Sequence, residues 1–430
     1  MSSHSTPTAH AAQTLAQKLI ARAAGRPSVQ AGEIVDCAVD LAMFHDSSGP
    51  RRLKPMLDQL GARIWDASRV VLVMDHYVPA ADDESRRIVH IAREWAAEQQ
   101  LTHVHDSEGI CHVLLPERGH LRPGMLCVGG DSHSPTGGAF GAFMFGIGST
   151  EMLGVLVSGR IWLQVPQTIR YRWDGALSPG VGAKDMMLYM IGRFGMNGAA
   201  YQAAEFAGQA VQALPMAERM TLCNMTAELG AMVGLVAPDA VTHQWLAEHG
   251  VSGVDTGHWQ GDEGAALRAE HVFDAAALAP QVALPHSPAN VHPVGDVEGQ
   301  AIDVAYIGAC TGAKLHDLRA AAAVLRGQRV ATGVQLLLAP ASLREQRQAE
   351  AEGTLQTLLD AGGRLLPIGC GACAGYGSRF ADASRVISST ARNFRGRMGG
   401  ADVQVFLASP ATVAASALRG RIADPREVLK

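Results

Sequence analysis

Short apolar, β-branched runs alternate along the chain with longer stretches of helical periodicity. The runs are Val70 to Met74, Met125 to Val128, Val304 to Ile307, Val334 to Leu338, Leu365 to Ile368 and Val403 to Leu407. Continuous hydrophobicity of this length predicts strands buried on both faces, and alternation with helices predicts βαβ units around parallel sheets. Near the N-terminus, Leu15, Leu19, Ile20 and Ala23 fall on one helical face, so an amphipathic helix is expected from Thr14 onward. Between about Gln260 and Asp296 the composition turns to Pro, Ala and His, which reads as a linker into a last domain.

Polar groups sit just after most of these runs: Asp75-His76, Asp131-Ser132-His133, Cys310-Thr311, Cys370 to Cys373 and Ser409-Pro410. Ligand sites of open α/β sheets lie outside the carboxyl ends of the strands, so the motifs are expected to converge on one cleft.

Composition narrows the partners. A chain of 430 residues, 47% apolar and 18% charged, has ample material for large cores and predicts two to four domains. The formal net charge of -5, without a lysine or arginine run, argues against nucleic acid as a partner. No apolar stretch reaches the roughly 18 residues of a membrane span. The start of the chain lacks the apolar core of an export signal. Lys18, Arg22 and Arg26 precede the first acidic residue, Glu33, in a Ser/Ala-rich stretch, but the helix expected from Thr14 assigns this stretch to the fold and not to a transit peptide. An odd count of seven cysteines suits a reducing compartment, and a cytoplasmic protein is expected.

Three of those cysteines carry the chemistry. Cys310 ends one apolar run, and Cys370 and Cys373 form a C-x-x-C in GCGAC at the end of another. Three soft ligands suit an iron-sulfur cluster in which one iron lacks a protein ligand, and such an iron is a Lewis acid. The competing reading is structural zinc, which wants a fourth ligand from His316 or a distant residue. Gly369 to Ala374 also fits the G-x-G-x-x-A of dinucleotide sites, but neither the long helix nor the acidic residue of that motif follows.

His76, His112 and His133 have Asp75, Asp131 and Glu228 available as carboxylate partners. A carboxylate on one imidazole nitrogen fixes the tautomer and raises the basicity of the other, as proton delivery to a leaving group requires. Each histidine alone also fits a structural role; three beside an open-iron motif favour catalysis. Arg392 and Arg397 in TARNFRGR present two guanidiniums that fit either a carboxylate-binding loop or a solvated basic one.

Taken together, Asp75-His76, GDSHS (130 to 134), NMTAELGA (224 to 231), Cys310-Thr311, GCGAC (369 to 373) and ARNFRGR (391 to 397) resemble the aconitase superfamily, closest to the large subunit of 3-isopropylmalate dehydratase and its paralogues. The resemblance implies an α/β chain of three doubly wound domains, placed at 1–166, 167–290 and 291–430, the last with the cluster cysteines. It implies that Cys310, Cys370 and Cys373 hold a 4Fe-4S cluster. It pairs His76 with Asp75, His112 with Asp131 and His133 with Glu228, with His76 as proton donor to the departing hydroxyl. Arg392, Arg397, Ser132 and His45 match substrate-contacting positions, and Asn224 an asparagine near the cluster. The fourth, swivelling domain of the family is absent from this sequence, so a small subunit is expected to supply the base, in a heterodimer. The implied reaction is dehydration and hydration of a small 2-hydroxy dicarboxylic acid. Isomerisation of 3-isopropylmalate in leucine biosynthesis leads, with methylmalate, dimethylmalate, maleate and homoaconitate hydratases as paralogous alternatives and a non-catalytic cluster-dependent regulator as a different class.

The sequence departs from the family pattern in two places. Gly312 and Ala313 replace Asn-Ser after Cys-Thr, and Ala391 replaces the Asn before Arg392. Both remove hydrogen-bonding groups beside the expected cluster. Ser134 for threonine is a smaller change.

Overall fold

The computed structural model describes residues 11–376 and 380–429. Three parallel or mostly parallel sheets and one antiparallel ribbon make up the described strands. The first helix runs Leu15–Ala23. Its entry is closed by a reciprocal box in which the Thr14 hydroxyl accepts from the Gln17 amide and the Gln17 side chain accepts from Thr14 N–H, and Leu15, Leu19, Ile20 and Ala23 are buried as the periodicity predicts.

The first sheet is wholly parallel, in the spatial order His103–Asp106, Val70–Met74, Leu41–His45, Leu126–Gly129, Phe143–Gly146. The second is also parallel, in the order Val233–Val236, Ala203–Ala207, Thr168–Asp174, Ala269–Asp274. The third has seven strands: Val291–Pro293 and Gln281–Ala283 pair antiparallel at one edge, followed by the parallel set Gln404–Ala408, Arg385–Ser388, Val304–Ile307, Gln335–Leu338, Gly363–Leu365. Ile34–Ala38 and Arg160–Gln164 form the ribbon.

Two expectations change here. The stretch from Gln260 to Asp296 is more than a linker, because Ala269–Asp274 closes the second sheet and Gln281–Ala283 opens the third. The first is an edge strand with little continuous burial and the second only three residues long, so neither gives a hydrophobic run. The sheet pairing therefore turns from the second unit to the third between Asp274 and Gln281. The run Leu365 to Ile368 ends as a strand at Leu365, and Pro367, with no N–H to donate, lies in the loop beyond.

The strands bury both faces, but into different cores. On Val70–Met74, Val71 and Val73 join an apolar cluster that also takes Ile169 and Tyr171 from the second sheet and Val304 and Tyr306 from the third. Val70, Leu72 and Met74 point the other way, into a core confined to the N-terminal part and one edge of the second sheet. The shared cluster is the seam at which the three sheets pack against one another.

Candidate active site

Three adjacent parallel strands of the first sheet end in polar residues. His45 closes the central one, and Asp75-His76 and Asp131-Ser132-His133 follow its two neighbours. Residues of the other units come up against them. The four-residue helix Thr226–Leu229 brings Glu228, the turn after Val304–Ile307 brings Cys310, and the loop after Arg385–Ser388 brings Arg392. The GCGAC turn reaches the same place only by bare backbone: a Cβ on Gly369, whose φ is +142°, would stand 2.9 Å from the carbonyl oxygen of Asp75. Cys370 N–H donates to that carbonyl at 2.7 Å.

All three expected imidazole–carboxylate pairs are in contact. His76 Nδ1 lies 2.7 Å from Asp75 Oδ1, His112 Nε2 lies 2.7 Å from Asp131 Oδ1, and His133 Nε2 lies 2.9 Å from Glu228 Oε1. The carboxylates are anchored in turn, Asp75 by the Cys111 N–H at 2.8 Å and Asp131 by the His133 N–H at 2.8 Å. Burial disfavours charge on His76, yet Asp75, Asp131 and Asp46 outweigh it and raise its pKa to about 9. Burial wins at His112, whose pKa falls below the usual imidazole value despite Asp131. Two histidines in one cleft are thus set apart, one held protonated and one neutral. Asp131 stays ionised well below the normal range against the cost of burial, held by His112, His45 and His133; Glu228 is lowered in the same way by His133 and Arg392.

Arg392 donates through Nε to Glu228 Oε1 at 2.6 Å and through Nη2 to Ser132 Oγ at 2.9 Å. With Asp131 and Ser132 it lines an open cavity of about 490 Å³. Arg397 turns to the cysteine loop, its Nε donating to the carbonyl of Cys373 at 2.6 Å. His45 stacks on His76 with ring centroids 3.9 Å apart, and its Nε2 lies 3.5 Å from Asp131 Oδ2.

The three cysteines come together with donors around them. Asn224 Nδ2 donates to Cys310 Sγ at 3.2 Å, and burial together with the charge of Cys373 pushes the Cys310 thiol up to about 12. Within the C-x-x-C pair the Cys370 thiol stabilises a thiolate on Cys373, which Arg397, His133 and Arg392 favour further, so Cys373 is lowered to about 5 and Cys370 is raised. Three soft sulfurs, a side-chain amide already directed at one of them and two arginines close by fit an iron-sulfur group.

Gly312 explains one departure from the family pattern. A Cβ there would lie 2.3 Å from the Ser389 Cβ, and the Ser389 hydroxyl instead accepts from the Gly308 N–H and contacts the Gly312 carbonyl, each at 3.0 to 3.2 Å. The seryl hydroxyl ties down the backbone of the Cys310 turn. Nothing in the structure explains Ala391.

Several contributors carry no signal in the sequence. Asp46 accepts from the backbone N–H groups of His76 and Tyr77 at 3.1 and 2.8 Å, and Tyr77 and Tyr376 join their hydroxyls at 2.8 Å on the wall of a cavity of about 620 Å³ that also touches His76 and Gly371. Lys184 is buried below the site.

A buried cleft of imidazole–carboxylate pairs, arginines and three cysteines at the junction of α/β sheets has the groups of an acid–base enzyme beside soft donors that could hold a metal group. Comparison with known proteins agrees. The model of the aconitase family (aconitate hydratase) matches residues 17–420. The 3-isopropylmalate dehydratase large subunit 1 of Methanopyrus kandleri is 43% identical, covering 97% of this chain and 100% of that one. A probable methanogen homoaconitase large subunit of Methanosarcina mazei is 44% identical over 91% of this chain and 99% of its own, and the 3-isopropylmalate dehydratase large subunit of Nitratidesulfovibrio vulgaris is 42% identical over 96% and 99%. The chain belongs to the aconitase family, a family of hydro-lyases. Among the described residues no helix is long and apolar enough to cross a membrane.

Proposed function

We propose that this chain is the cluster-bearing large subunit of a two-chain hydro-lyase that removes and re-adds water on a small 2-hydroxy dicarboxylic acid. The observation that carries the reading is the convergence of three imidazole–carboxylate pairs and Arg392 on Cys310, Cys370 and Cys373. A 4Fe-4S cluster held by those cysteines would supply Lewis acidity toward a substrate oxygen. The chain's own residues do the rest. His76, kept protonated by Asp75, delivers a proton to the departing hydroxyl oxygen. Glu228 and Ser132 fix the Arg392 guanidinium, whose remaining N–H groups anchor a substrate carboxylate. Arg397 braces the Cys373 carbonyl, and His45, stacked on His76, keeps that ring in plane.

The base that takes the proton from the neighbouring carbon comes from a small swivelling-domain subunit, a role supported by the name "large subunit" borne by the relatives. The 490 Å³ cavity shares Gly146, Ile147, Tyr201 and Met232 with a groove of about 1200 Å³ edged by the exposed Trp162, and this continuous surface beside the substrate suits that partner. The leading substrate is 3-isopropylmalate; homoaconitate is the second reading, favoured by the 44% identical relative. The test is turnover of a panel of hydroxy-diacids by anaerobically prepared chain, alone and mixed with its cognate small subunit. Activity on one of them should require both chains. Sustained turnover by this chain alone, or none by the pair on any member of the panel, would overturn the reading.

A further inference from the structure

Two lysines are sealed in the core, Lys184 with 2% of its surface exposed and Lys314 with 1%. They differ in charge balance. Lys314 Nζ lies 2.8 Å from Asp317 Oδ2, so its charge is paired. Lys184 has no such partner: among the described residues its ammonium meets only neutral acceptors, the carbonyls of Ser389 and Thr390 at 2.7 Å each and the Thr311 hydroxyl at 3.4 Å. A buried cation without a counter-ion costs several kcal/mol, so it is kept only where its surroundings supply negative potential. Burial works against the charge of Lys184 and lowers its pKa to about 8, while Glu228 and, more weakly, Cys373, Cys310 and Asp317 act the other way, so the ammonium is kept at neutral pH.

The acceptors are as informative as the missing carboxylate. Ser389 and Thr390 stand immediately before the Ala391-Arg392 pair, and Thr311 directly follows Cys310. The Thr311 hydroxyl donates to the same Ser389 carbonyl at 2.9 Å. Lys184 itself sits in the first turn of the helix Ala183–Phe194, in the unit of the second sheet. One ammonium therefore fastens two loops of the third unit to a helix of the second, and these are the loops that present Arg392 and Cys310.

We infer that Lys184 is a positioning residue of this site, whose ammonium sets the Arg392 loop against the Cys310 loop and places a buried positive charge behind both. The inference rests on the reading of the three cysteines as cluster ligands. Removing a positive charge near a cluster stabilises its more oxidised, less negative state, so the reduction potential falls.

The experiment compares wild type with Lys184→Met and Lys184→Gln, prepared without oxygen and mixed with the small subunit. Folding is checked by circular dichroism, iron and sulfide are counted, and the midpoint potential is measured alongside KM and kcat. The variants should fold, take up the cluster, show a more negative potential and raise KM for the hydroxy-diacid by about tenfold, in line with the loss of charge-assisted contacts that place the arginine. Wild-type potential and KM in both variants would overturn the inference, and so would failure of both to fold, which would make Lys184 a purely structural residue. A wild-type chain that takes up no iron and sulfide fails at an earlier step and sinks the cluster reading itself, so the two failures are told apart.

Discussion

Arg392 and Glu228 are joined by a 2.6 Å hydrogen bond from Nε to Oε1, and the same carboxylate oxygen lies 2.9 Å from His133 Nε2. Glu228 is 1% exposed, so this one group orients a guanidinium and an imidazole from below while neither can drift toward solvent. The planar fork of arginine is what makes both the Glu228 and Ser132 contacts geometrically compatible with a third partner. Arg392→Lys keeps the charge and loses that geometry. It should lower kcat/KM of the reconstituted enzyme by about ten- to a thousandfold. Full activity of the lysine variant on every acid that the wild type turns over would remove the carboxylate-anchor role.

A second expectation concerns pH. His76 has its pKa raised to about 9, above the ordinary imidazole value, because neighbouring carboxylates outweigh burial. A proton donor of this kind is loaded below about 9 and empties as pH rises through that value, so kcat/KM for dehydration should fall on the alkaline side with a limb near 9. Asp75 is the strongest of the groups that raise it. Asp75→Asn should therefore move the limb to lower pH as well as reduce the rate. An alkaline limb that stays in place in Asp75→Asn, measured from pH 6 to 10, would show that another group sets it.

Much of this site was legible because its residues follow strand ends in sequence as they do in space. Asp75-His76 and Asp131-Ser132-His133 lie just past runs that are strands, and the parallel topology puts the ends of neighbouring strands side by side. Two kinds of feature escaped. Short or edge strands such as Gln281–Ala283 and Ala269–Asp274 offer no continuous apolar run, so a stretch of alanine and proline reads as a linker. Residues that act through long-range contacts, such as Asp46 on the backbone of His76 or Lys184 on the carbonyls of Ser389 and Thr390, carry no local pattern because their partners lie 30 and about two hundred positions away.

The cluster assignment is tested on the thiols one at a time. Anaerobically purified chain should be brown and contain iron and sulfide near about four each. Replacing any of Cys310, Cys370 or Cys373 by serine should abolish that absorbance, whereas Cys37→Ser in the antiparallel ribbon or Cys223→Ser in the helix Met216–Asn224 should not, since neither belongs to the loops at the strand ends of the third sheet that carry the three ligands. Colourless protein with stoichiometric zinc would instead favour the structural-metal alternative.

Away from the chemistry, Glu117 couples the first and third units. Its carboxyl is 7% exposed and accepts from the Ser342 hydroxyl at 2.8 Å, next to the bridge between Gly109 and Ser342. Burial first, and then the charge of Glu345, raises its pKa to about 7 from the model-peptide 4.5. The folded chain thus holds a proton that the unfolded chain gives up above about 4.5. Below that pH both states are protonated and the group is neutral to stability; between about 4.5 and 7 stability falls as pH rises, and above 7 the loss is complete, on the order of 3 kcal/mol. Glu117→Gln keeps an acceptor for Ser342 and removes the charge. It should raise the unfolding temperature at pH 8, leave it nearly unchanged at pH 4.5, and flatten the decline between them. A variant whose unfolding temperature follows the wild-type curve across the whole range would show that Glu117 ionises in the folded chain as easily as in the unfolded one.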